Sequence, residues 1–117
     1  ARRSCGVGRC GACMVLLEDV PVNACLLPLA RLDGARITTA EGLGPRADAI
    51  IARLATRGAV QCGYCTPGMT VSLVAALEDP DRGDAEAVTK RLTGNLCRCS
   101  GYAALRDAIH DLCAAAD

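Results

Sequence analysis

Eight of the nine cysteines fall into two groups of four. Cys5, Cys10 and Cys13 are spaced C-x4-C-x2-C, and Cys25 follows. Cys62 and Cys65 form a C-x2-C pair, and Cys97 and Cys99 form a C-x-C pair. A helix-length spacer separates those last two pairs, so their sulfurs can meet only if the chain folds back on itself. Four converging thiolates suit a structural zinc or an iron–sulfur cluster.

The first group has the spacing of plant-type 2Fe–2S ferredoxins. Gly6, Gly8 and Gly11 lie between its sulfurs. Glycine accepts positive φ and lets the backbone approach a bound group closely. Amide N–H groups can then point at cluster sulfurs, which tunes the potential. Nine cysteines also raise the question of disulfides in an oxidising compartment. Secreted disulfide scaffolds do not usually place cysteines as C-x4-C-x2-C and C-x-C among glycines, and an odd total leaves one thiol over. Metal-bound thiolates in a reducing cytoplasm fit better, so a cytoplasmic location is expected.

The bulk properties narrow the field. The 117 residues suffice for one domain or two small ones, and the 13 basic residues balance the 13 acidic ones. A net charge of zero gives no electrostatic case for nucleic acid, and no basic run marks a membrane surface. The apolar runs are too short for a transmembrane segment, and no export signal is expected. Tyr64 and Tyr102 are the only aromatic residues. The core must therefore be aliphatic, with the cysteine sites as staples.

Periodicity places the cysteines on elements. Met14–Leu17 reads as a strand, Glu18-Asp19 as a turn, and residues 20–24 as a return strand that delivers Cys25. Pro21 cannot donate to a ladder, which makes that strand an edge. A short strand is expected at residues 37–39, and a domain boundary at Gly44. Residues 47–57 read as a helix with Ile50, Ile51 and Leu54 on one face and Gly58 as its stop. Thr66 and Pro67 are expected to start a second helix, carrying Val71, Val74 and Leu77. A third spans about 85–92, capped by Asp84. A fourth follows Ser100-Gly101, with Leu105, Ala108, Ile109, Leu112 and Cys113 facing the core. Both later cysteine pairs then lie at helix starts. Unpaired N–H groups and a partial positive charge there stabilise an anionic cluster as they would a phosphate.

The motifs C-x4-C-G-x-C, Q-C-G-Y-C-T-P-G-M and G-N-L-C-R-C-S-G-Y resemble the iron–sulfur subunit or domain of molybdenum hydroxylases. That is the xanthine dehydrogenase, aldehyde oxidoreductase and aerobic carbon monoxide dehydrogenase family. The resemblance runs from Cys5 to about Ile109, and the two later motifs together are very specific. It implies an α+β fold: a plant-ferredoxin-like β-grasp portion over 1–44, then a four-helix bundle over 45–117. It implies Cys5, Cys10, Cys13 and Cys25 as ligands of an outer 2Fe–2S cluster, and Cys62, Cys65, Cys97 and Cys99 as ligands of an inner one. Gln61 and Cys99 match positions that approach the molybdopterin cofactor on a large partner subunit. Electrons would leave molybdenum through the inner cluster, then the outer one, toward FAD on a medium partner subunit or another acceptor. The chain would thus be the electron-transfer subunit of an oxidoreductase hetero-oligomer, without substrate chemistry of its own. Relative to the family, the β-grasp portion is N-terminally incomplete. Its exposed edge is expected to be covered by a partner chain or by further residues. Ser100 stands where threonine is common in the family, and either can cap a helix.

The remaining residues carry weaker signals. Cys113 lies on the apolar stripe of the last helix, where a buried packing role is expected. His110 is the only histidine. A Rieske centre needs two, so that cluster type is excluded. Arg98, between Cys97 and Cys99, could raise the inner cluster's potential, or face solvent or a partner. Tyr64 and Tyr102 could shield the inner cluster, contact a partner or simply pack. Gln61 has no signal apart from the resemblance. Two other readings stand beside the leading one. One is a free-standing two-cluster ferredoxin-like carrier; the other is a zinc-binding structural module using both four-cysteine sites.

Overall fold

The computed structural model describes residues 1–117, folded as a small sheet against four helices. Strands β1 (Met14–Leu17) and β2 (Val20–Asn23) form an antiparallel hairpin, and β3 (Ile37–Thr38) pairs on the other side of β1. The order β2-β1-β3 leaves β2 at an edge, as Pro21 requires. Glu18 and Asp19 turn the hairpin with φ of 48° and 67°. A type I′ hairpin turn needs positive φ at both centres, and neither residue here is glycine. Arg36 holds the turn from across the sheet. Its backbone N–H donates to Glu18 Oε1 at 2.7 Å, and its guanidinium donates to Asp19 Oδ2 at 2.6 Å. Single 3₁₀ turns occupy Ala24–Leu26, Leu29–Arg31 and Ala40–Gly42, and the first takes Ala24 out of the expected return strand, which ends at Asn23.

The helices are α1 (Pro45–Thr56), α2 (Thr66–Glu78), α3 (Ala85–Arg91) and α4 (Ala103–Ala116). Helix α2 packs against α1, α3 and the sheet, while α4 packs against α1 and α3. This central position explains why α2 is apolar on nearly every side. Met69, Val71, Leu73 and Val74 are all buried. Burying each such side chain stabilises the fold by about 1.5–3 kcal/mol. One 19-residue apolar cluster runs from Leu16 and Leu43 through all four helices to Cys113. The fourth helix buries Leu105, Ala108, Ile109, Leu112 and Cys113 as its periodicity requires, and leaves His110 exposed.

Helix ends follow local chemistry. Gly58, at φ 72°, closes α1 with two bonds: its N–H donates to Ala55 O at 3.0 Å, and that of Ala59 donates to Leu54 O at 2.8 Å. This is the Schellman arrangement, which satisfies two orphan carbonyls. Asp84 Oδ1 caps α3 by accepting the Ala87 N–H at 2.9 Å. Other details also differ from the sequence reading. Ile51 is 45% exposed, one position off the α1 stripe that buries Ile50 and Leu54. The N-cap of α2 is Cys65, with Thr66 and Pro67 as the first two helical residues. The N-cap of α4 is Tyr102, whose backbone is left-handed, while Ser100 Oγ accepts the Tyr102 N–H at 3.3 Å.

The sheet-bearing portion and the helices meet at one tight seam. A Cβ built at Gly68 would collide with the carbonyl oxygen of Gly11. Gly11 itself lies at φ 75°, against Gly94 and Asn95. The buried Asn95 donates from Nδ2 to Gly11 O at 3.4 Å, and the Leu96 N–H donates to Cys10 O at 2.9 Å. Only glycine at 11 and 68 permits this approach. On the far side, Arg57 grips Asp111 with two bonds of 2.7 Å and ties the end of α1 to α4.

Candidate metal centres

The first cysteine loop wraps backward so that its amides face its sulfurs. The N–H groups of Val7 and Arg9 donate to Cys5 Sγ at 3.5 and 3.3 Å. Gly8 N–H donates to Cys25 Sγ at 3.2 Å, Ala12 N–H to Cys10 Sγ at 3.4 Å, and Cys25 N–H to Cys13 Sγ at 3.4 Å. Gly8 turns at φ 74° with the Leu26 side chain lying over it. Two such bonds occur in the second region, from Tyr64 N–H to Cys62 Sγ at 3.5 Å and from Ser100 N–H to Cys97 Sγ at 3.4 Å. Inward amides of this kind stabilise negative charge on sulfur and suit an anionic group held between the thiolates.

The sulfurs meet in pairs. Cys62 and Cys99 approach to 3.6 Å, although 37 residues separate them. Cys65 and Cys97, Cys5 and Cys10, and Cys13 and Cys25 lie near enough to shift one another's protonation. In the second region each pair therefore takes one sulfur from C-x2-C and one from C-x-C. The fold-back expected from sequence is present, and it crosses the two motifs. No three cysteine, histidine or carboxylate groups converge closely enough to hold a single metal ion.

Within the pairs, protons are unevenly held. The Val7 and Arg9 amides bring the Cys5 thiol down to about 6. Burial pushes Cys97 up, but the Ser100 hydroxyl and amide outweigh it and bring the group down to about 7. Its neighbour Cys65 is pushed up to about 11, first by burial and then by the bond with Cys97. Cys62 is lowered by the Tyr64 amide, and Cys99 is raised by its hydrogen bond to Cys62. Burial raises Cys25, reinforced by Cys13. In the pairs Cys62–Cys99 and Cys97–Cys65 the lowered sulfur favours the thiolate and its partner keeps the proton. Metal binding would expel those protons, because only thiolates ligate.

A cavity of about 510 Å³ lies among Cys62, Cys65, Cys97 and Cys99, with Cys10 of the first loop also on its wall. Tyr64, Leu96 and Tyr102 rim it, and all three are exposed. Gln61, Cys62, Arg98 and Cys99 are exposed as well. Tyr102 also accepts the Cys97 N–H on its hydroxyl at 2.8 Å, a link that periodicity could not reveal. Tyr64 donates its hydroxyl to the Arg3 carbonyl, and the Arg2 guanidinium sits 4.9 Å from its ring centroid. A larger cavity of about 650 Å³, between the β1–β2 hairpin and α2, contains no cysteine.

Comparison with known proteins identifies the family. The profile of the [2Fe-2S] binding domain family matches residues 39–110. Indole-3-acetaldehyde oxidase of Arabidopsis thaliana is 46% identical over 90% of the chain, which spans 9% of that protein. A probable xanthine dehydrogenase subunit from Bacillus subtilis is 43% identical over 85% of the chain, which spans 58% of it. Quinoline 2-oxidoreductase of Pseudomonas putida superposes with a TM-score of 0.83 at 35% identity, covering 98% of this chain and 74% of that one. Aldehyde oxidoreductase of Desulfovibrio desulfuricans gives 0.87 at 38% identity, covering 97% and 13%. The chain belongs to the [2Fe-2S] binding domain family, in the iron–sulfur part of the molybdenum hydroxylases that its motifs resemble. No helix is long and apolar enough to cross a membrane.

Proposed function

We propose that this chain holds two 2Fe–2S clusters and conducts electrons from a molybdopterin site on a large partner subunit. The electrons leave toward FAD on a medium subunit or toward another acceptor. Cys5, Cys10, Cys13 and Cys25 ligate the outer cluster, and Cys62, Cys65, Cys97 and Cys99 the inner one. The two lie in a β-grasp-type portion over 1–44 and a helical bundle over 45–117.

The pairing of the sulfurs is the observation that carries this reading. A tetrahedral zinc with bonds of about 2.3 Å needs all four sulfurs within about 3.8 Å of one another. Here Cys62 and Cys99 approach to 3.6 Å, and no three such groups converge on one ion's position. Two thiolate pairs would suit a binuclear iron–sulfur group, with one pair to each iron. Cys62 with Cys99 and Cys65 with Cys97 would each hold one iron of the inner cluster. Cys5 with Cys10 and Cys13 with Cys25 would do the same in the outer one. When bound, the clusters supply reversible one-electron chemistry. The chain's own part is to hold the thiolates, aim amides at them and keep the two loops in contact through Leu96 and Cys10.

The exposed side of the inner site supports docking on a partner. Gln61 adjoins Cys62, and Cys99 Sγ lies 3.6 Å from Cys62 Sγ. The family resemblance assigns Gln61 and Cys99 to the pterin approach, and both are exposed. That the chain spans only part of its relatives fits a role inside a larger hetero-oligomer. A cytoplasmic assembly fits thiolates that must stay reduced. Reduction with dithionite tests the proposal: two distinguishable paramagnetic signals are expected, and a chain silent after reduction would refute it.

A further inference from the structure

Tyr102 occupies its position at a backbone cost. It sits at φ 70° and ψ −16°, a left-handed conformation that glycine adopts freely and that costs other residues about 1–2 kcal/mol. A glycine would make the turn into α4 without strain, so the side chain accounts for a tyrosine here. That side chain turns back, and its hydroxyl accepts the Cys97 N–H at 2.8 Å. Other amides around the sulfurs, such as those of Tyr64 and Ser100, donate to sulfur itself. The Cys97 amide instead reaches an oxygen. Accepting this bond leaves the hydroxyl proton free to donate, and Tyr102 lines the cavity shared by the four sulfurs. Hydrogen bonds in series polarise one another, so the amide strengthens the hydroxyl as a donor.

We propose that Tyr102 is a positioning residue for the inner cluster: its hydroxyl fixes the Cys97 backbone and presents a proton toward the cluster sulfurs. The inference rests on the reading that Cys62, Cys65, Cys97 and Cys99 hold a 2Fe–2S cluster. A donor toward an anionic cluster favours the reduced, more negative state and raises its potential. Tyr64, the only other aromatic residue, serves as control, because its hydroxyl goes to the Arg3 carbonyl and not to a ligand.

The test compares midpoint potentials of both signals in iron-loaded wild-type, Tyr102→Phe and Tyr64→Phe chains. Tyr102→Phe should make the inner potential more negative, leave the outer one in place, and hasten loss of the inner iron to a chelator. Tyr64→Phe should leave the inner potential unshifted. A second arm keeps the ring intact. In the Tyr64→Phe chain, 3-fluorotyrosine incorporation changes Tyr102 alone and makes its hydroxyl a stronger donor, so the inner potential should rise. An inner potential unmoved by both the phenylalanine and the fluorine would overturn the assignment. A wild-type chain lacking two signals would instead overturn the cluster reading beneath it.

Discussion

The backbone N–H of Leu96 donates to the carbonyl oxygen of Cys10 at 2.9 Å. One residue precedes a ligand of the proposed inner cluster, and the other is a ligand of the outer one. The bond joins the two cysteine loops directly, and the Gly11–Gly68–Asn95 seam supports it from beneath. Under the two-cluster proposal, electron passage between the sites would depend on packing at Gly11 and Gly68.

Gly68→Ala tests that dependence. The added Cβ would meet the Gly11 carbonyl, which is backbone and cannot swing aside. Overpacking of this kind costs about 1–3 kcal/mol. The denaturation midpoint should fall with an unchanged slope. The magnetic coupling between the two reduced clusters should weaken while both signals persist. Stability and coupling equal to wild type would show that the seam yields without consequence.

The crossed pairing makes a prediction about ligand loss. Cys99→Ser should remove the inner signal and lower iron from about four to about two atoms per chain, leaving the outer signal intact. Cys113→Ala should keep all the iron, because Cys113 is buried in the apolar cluster and belongs to neither quartet. Its cost should be about 1 kcal/mol, typical of a small buried truncation. Iron analysis with paramagnetic resonance on both variants separates ligand from packing cysteine.

Acid should act partly through Asp111. The Arg57 guanidinium beside it holds its carboxyl below the usual range. A depressed carboxyl contributes stability that is fully present above the unfolded value of about 3.9 and is lost as pH falls through the folded value. Asp111→Asn removes the contribution at neutral pH and with it the dependence. Melting temperatures of wild type should therefore fall more steeply below about pH 4 than those of Asp111→Asn. Parallel curves would mean that the fork between α1 and α4 contributes nothing to acid sensitivity.

The chemistry of this chain was more legible in its sequence than its geometry. Cysteine spacing alone separated the two quartets, and the apolar stripe of α4 appeared from Leu105 to Cys113 as written. The partnering of sulfurs was hidden, because the crossing of Cys62 with Cys99 depends on how α2 and α3 return the chain. The seam was hidden for a related reason: Gly11 and Gly68 signal permissiveness, while their mutual contact is a tertiary fact. Ile51 shows the limit of periodicity, since one position on a helix decides between core and solvent. Tyr102 was placed near the inner site, but its left-handed backbone and its bond to Cys97 follow no local rule.

The most direct measurement is the content of iron, zinc and acid-labile sulfide in the purified, anaerobically handled chain. Two binuclear clusters predict about four irons and about four sulfides per chain, with negligible zinc. Zinc in place of iron, or iron without sulfide, would contradict the account.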